Sequence, residues 1–92
     1  MDKLFLYNQI KDYLLIKKIK RAAIFGSFAR NEETEDSDID LLIDVQGITL
    51  FDFLKMEDDL SKITHRKIDM VEYKAIKPTI AKYVYENMIE LI

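Results

Sequence analysis

Asp38 and Asp40 stand two apart in Ser37-Asp38-Ile39-Asp40-Leu41-Leu42-Ile43, and Asp69 stands in Ile68-Asp69-Met70-Val71. On a β-strand, residues two apart point to the same side with Cα atoms roughly 7 Å apart, so the first pair of carboxylates can converge on one ion. If the strand carrying Asp69 pairs with theirs, all three can meet. At ~5 Å and an effective dielectric of ~20, each like-charged pair costs roughly 3 kcal/mol, so three pairs cost about 10 kcal/mol. A domain of 92 residues has a total stability of about 5–14 kcal/mol, at roughly 0.05–0.15 kcal/mol per residue. A clustered triad therefore has to bind cations, or take up protons through raised pKa values. Oxygen-only ligands favour Mg²⁺ or Mn²⁺, and Mg²⁺ held in this way usually arrives with a polyphosphate that completes its shell. Two such ions can activate an attacking oxygen and stabilise a leaving one during in-line displacement at phosphorus.

Gly26-Ser27-Phe28-Ala29-Arg30 supplies a complement. A glycine at a strand end lets the backbone approach a ligand closely. Ser27 opens a short helix whose free N–H groups suit a phosphate, and Arg30, one turn on, can reach a phosphate or tie down the acidic loop that follows. That loop holds Glu32, Glu33, Glu35 and Asp36 and reads as solvated. His65 falls at a helix end, and Tyr83 and Tyr85 flank an apolar helix face, where packing explains them.

The elements that must position these residues follow from periodicity. Leu6, Ile10, Tyr13 and Leu14 mark a helix over residues 3–19. Residues 21–25 form a short apolar strand ending at Gly26. Residues 38–45 alternate strictly, with Ile39, Leu41, Ile43 and Val45 on one face and Asp38, Asp40, Leu42 and Asp44 on the other. The acids thus share a strand with the core without entering it. Thr49 and Asp52 resemble a capping box for a helix over 50–64, residues 67–73 read as a third strand, and Pro78 opens a last helix with Ile80, Val84, Met88 and Leu91 as its apolar face. The order α-β-(α)-β-α-β-α predicts one α+β domain over 1–92, a small mixed sheet with helices on one face and the acids on the open other face.

Composition bounds the function. Apolar residues at 49% and charged residues at 34% fit a globular chain. Without cysteine, and with His65 as the single histidine, disulfide, thiolate and multi-histidine metal chemistry are excluded. A net charge of −3 argues against broad nucleic-acid binding, and Lys17, Lys18, Lys20 and Arg21 suit a helix C-terminus. The sequence lacks an apolar run of membrane-spanning length or a signal peptide, which predicts a cytoplasmic protein.

The glycine-serine segment, the paired-aspartate strand and the third-aspartate strand, in that order, resemble the minimal nucleotidyltransferase proteins of the polymerase-beta-like nucleotidyltransferase superfamily. Asn31 departs from the glycine usual after the arginine; asparagine tolerates positive φ. The resemblance implies that Asp38 and Asp40 hold two Mg²⁺ ions. It implies that Asp69 completes the catalytic ion's shell and helps the attacking hydroxyl lose its proton, and that Gly26 and Ser27, with Arg30 beside them, bind the triphosphate of ATP. It further implies an antitoxin that transfers AMP to a tyrosine of a HEPN-domain RNase toxin. Two alternatives share the site: an antitoxin that acts by contact alone, and nucleotidyl transfer to a small molecule or an RNA end. Larger nucleotidyltransferases close a second domain over the nucleotide; here a partner protein is expected to do so.

Overall fold

The computed structural model describes residues 2–92. Helix α1 (Lys3–Ile16) starts where the Asp2 carboxylate accepts the Phe5 N–H. It stops short of the predicted residue 19. Lys18 turns left-handed at φ 64°, with Ile19 N–H donating to Leu14 O and Lys18 N–H to Leu15 O. This is a Schellman closure made by a lysine where glycine is the common choice, so no sequence signal marks it.

Strand β1 (Ala22–Phe25) leads into the single turn α2 (Gly26–Ala29), and β2 (Ile39–Ile43) follows the acidic loop. Helix α3 (Leu50–Thr64) is capped by Thr49, whose hydroxyl accepts the Asp52 N–H at 3.1 Å. Strand β3 (Ile68–Glu72), a 3-10 turn at Tyr73–Ala75 and helix α4 (Pro78–Asn87) complete the expected order. The last helix does not run through Met88 and Leu91. Met88 is extended, and Ile89–Glu90 forms a fourth strand, β4, against β1. The sheet order is β3-β2-β1-β4, with β2 parallel to β3 and antiparallel to β1.

One face of the sheet carries the core. Ala22, Ile24, Ile39, Leu41, Ile43, Ile68 and Met70 pack with Leu6, Ile10 and Leu14 of α1 and Met56 and Leu60 of α3. The other face, where the acids stand, is not fully open. Ala23 and Leu42 lie directly opposite each other on the acid face and are fully buried. Helix α4 packs against β1 and α2. An apolar residue in the middle of the acid face is stabilised by its burial there. Among the described residues, no helix is long and apolar enough to cross a membrane.

Candidate active site

The pairing register brings the acids together. Asp40 of β2 lies directly opposite Asp69 of β3, and across the other ladder it lies opposite Phe25, the last residue of β1. Partners in register point to the same side of a sheet, so Asp40, Asp69 and the end of β1 share one face. Asp38 immediately precedes β2; Asp38 and Asp40 are half-buried and Asp69 is exposed.

Gly26 explains itself here. Its φ is +71°, and a Cβ placed on it would stand 2.9 Å from Asp40 Cγ and collide with the Asp40 Oδ2 atom. Both the backbone angle and the neighbouring carboxylate require glycine. The chain then turns so that Ser27 and Phe28 lie in the first turn of α2, where N–H groups lack intrahelical acceptors. Backbone donors of this turn therefore stand beside the Asp40 carboxylate.

Charge crowding registers on Asp40. Burial, then the neighbouring charges of Asp69 and Asp38, push its carboxyl up to about 6, against the opposing pull of Arg30. Asp38 faces Lys67, with Nζ–Oδ2 at 3.7 Å. Among the described residues, no three acids are drawn in tightly enough to form a ready metal cage. Like-charged carboxylates repel one another unless positive charge lies between them. The donors are all carboxylate oxygens, a set that fits Mg²⁺ or Mn²⁺.

Arg30 is near enough for its charge to act on Asp40, but its contacts lie elsewhere. Its Nε donates to Glu32 at 3.1 Å, and its guanidinium lies 6.0 Å from the centroid of the exposed Tyr83 ring on α4. Asn31 adopts φ 57°, the left-handed geometry expected of a glycine substitute, and its Oδ1 accepts from Lys3 Nζ at 2.6 Å. His65 is an exposed left-handed cap of α3.

Sequence reasoning missed two cations. Lys3 also donates to Phe28 O at 3.3 Å and to Glu33 at 2.9 Å. Arg66 Nη1 donates to the carbonyls of Glu35 and Ser37, each at 3.1 Å. Both act across about 25 to 32 residues of sequence, a distance over which periodicity carries no information. The groove lined by Ile48, Phe53, Met70 and Val71 encloses about 440 Å³, and none of the three aspartates lines it.

The polymerase beta nucleotidyltransferase family model matches residues 8–92. A provisionally named protein adenylyltransferase of Methanocaldococcus jannaschii is 46% identical over 92 residues, covering 89% of this chain and 94% of the relative. Protein adenylyltransferase MntA of Thermococcus cleftensis is 33% identical over 72 residues, covering 77% and 73%. Among solved structures, a toxin-antitoxin crystallised with AMP-PNP superposes with a TM-score of 0.81 at 18% identity, covering 94% of this chain and 72% of that one. At that identity the likeness is one of fold.

Proposed function

The chain belongs to the polymerase beta nucleotidyltransferase family, and from that membership we propose that it is a Mg²⁺-dependent antitoxin that transfers AMP from ATP to a tyrosine hydroxyl of a HEPN-domain RNase toxin. One observation carries the reading: Asp40 sits in register with Asp69 while Gly26 backs onto the Asp40 carboxylate. The adenylyltransferase names of the relatives and the toxin-antitoxin neighbour support the acceptor class and the partner.

The division of labour follows from placement. Gly26 and Ser27 offer backbone N–H groups to the β- and γ-phosphates, and Arg30 lies within reach of the same charge. Asp38, Asp40 and Asp69 would hold the metal. When bound, Mg²⁺ neutralises the phosphates and eases ionisation of the attacking hydroxyl. The tyrosine oxygen forms a bond to the α-phosphorus, the bond from that phosphorus to the bridging oxygen breaks, and pyrophosphate leaves with the electron pair. Asp69, exposed beside the centre, takes the hydroxyl proton. The partner covers the exposed rim, keeps water from the α-phosphorus and presents the tyrosine.

The test is incubation with α-labelled ATP, Mg²⁺ and the co-purifying partner. Label on a partner tyrosine, absent with Asp38→Ala or Asp40→Ala, is the expected result. Full inhibition of the partner by the Asp38→Ala/Asp40→Ala double variant, with no label from the native chain, would replace transfer with inhibition by contact.

A further inference from the structure

Arg66 lies in the turn between α3 and β3, three residues before Asp69. Its Nη1 donates to Glu35 O and Ser37 O at 3.1 Å each and reaches Thr34 O at 3.5 Å. Its guanidinium carbon stands 5.2 Å from the centroid of the buried Phe28 ring. Ser37 is the residue before Asp38, and Phe28 is the residue after Ser27. One planar cation therefore touches the loop that delivers Asp38 and the turn that carries Ser27, while its own backbone continues into the strand of Asp69.

We propose that Arg66 is a positioning residue that fixes Asp38 and Ser27 against Asp69. The proposal rests on the transfer reading above. The acceptors are backbone carbonyls, and the remaining contact is a ring face. A guanidinium satisfies both at once with its rigid fork and its flat surface, whereas an ammonium is a point charge that cannot do so. The contacts hold the loop rather than the core. Glu35 is exposed, Ser37 is half-buried, and the loop's internal closure is a single turn, with Ser37 N–H donating to Thr34 O and Thr34 N–H to Ser37 Oγ. Lys3 holds Asn31 and Glu33, and Lys67 pairs with Asp38, but Arg66 is the side chain that ties down the carbonyls from Thr34 to Ser37, and without it the stretch leading into Asp38 is looser. A displacement of about 1 Å at a reacting centre costs on the order of a hundredfold in rate.

The experiment uses the full chain with Arg66→Gln and Arg66→Lys. In the metal-free protein, amide exchange at residues 34–38 should accelerate in both variants while the amides of β1 and β2 keep their protection. Mn²⁺ titration of the free chain should show binding weakened by about tenfold, within the range typical of residues that orient metal ligands. With partner and ATP, kcat should fall by roughly ten- to a hundredfold, with a smaller change in KM for ATP. Native exchange and native Mn²⁺ affinity in Arg66→Lys would overturn the proposal, since charge alone would then suffice. Loss of protection throughout the sheet in both variants would also overturn it, because the role would then be general stability. If the native chain transfers nothing, the transfer reading fails, while exchange and Mn²⁺ affinity still decide the role of Arg66.

Discussion

Asp40 is the residue on which the competing demands of the site meet. It sits on a core strand, faces Asp69, and leaves no room for a side chain on residue 26. Its carboxyl, pushed up to about 6 from an ordinary value of 3.8 chiefly by burial, keeps its proton in the folded chain at a pH where the unfolded chain has lost it. Between about pH 4 and 6 the folded state therefore binds more protons, and stability falls as pH rises through that window. Above it the charged carboxylate is a cost that the metal-free domain carries. Asp40→Asn removes the charge and keeps the shape. In metal-free buffer its melting temperature should exceed that of the native chain at pH 7.5, and the gap should close toward pH 4. Melting scans at both pH values check this, and a variant less stable than the native chain at pH 7.5 would mean that the cost of burying the Asp40 charge is not the dominant effect. The same substitution should abolish transfer, which would separate stability from function at one position.

At the scale of elements, β3 is the exposed edge of the sheet next to the site. Its outward Met70 N–H is not left bare, because Glu57 of α3 accepts it at 2.9 Å. A charged side chain capping an edge N–H blocks strand addition by a second chain. Glu57→Ala should lower stability by about 1 kcal/mol, the usual net worth of such a bond, and should promote concentration-dependent self-association. Urea unfolding and sedimentation measure the two effects, and a monomer of native stability would show that the edge needs no guard. The same strands explain what the sequence could reveal. The alternation of Ile39, Asp40, Leu41 and Ile43 has a single reading, so the acid strand and its two faces were legible, as was the Thr49 cap of α3. The segment Met88-Ile89-Glu90-Leu91 satisfies either a helical or an alternating period. The open edge of β1, with Leu91 N–H donating to Ala22 O at 2.8 Å, decided it. The Arg66 and Lys3 anchors also depend on chain proximity created only by the fold, and no local pattern announces them.

Over the whole molecule, charge is polarised along β2. The strand begins beside Asp38 and the acidic loop, and it ends near Asp44, whose N–H donates to Arg21 O at 3.0 Å in the region of Lys17, Lys18 and Lys20. The two ends are separated by roughly 20 Å, six residues at ~3.3 Å each. That exceeds the ~8 Å screening length at physiological ionic strength, so the lysines cannot neutralise the acids. Lys67 and Arg30 relieve the crowding at Asp38 and Asp40 only in part, since the Asp40 carboxyl still stands raised, and a ligand that binds only the folded chain stabilises it by mass action. Free ligand at ten times its dissociation constant adds about 1.4 kcal/mol, worth roughly 6–11 °C in melting temperature for a domain of this size. Mg²⁺ with a non-hydrolysable ATP analogue should therefore raise the melting temperature by that order. Lys18→Ala, at the far end, should keep the shift, and Asp38→Ala should lose it. Differential scanning calorimetry at constant ionic strength separates site binding from screening. An equal rise in Asp38→Ala, or an equal rise with NaCl alone, would mean that the carboxylates are a charged surface and that the cation is not bound there.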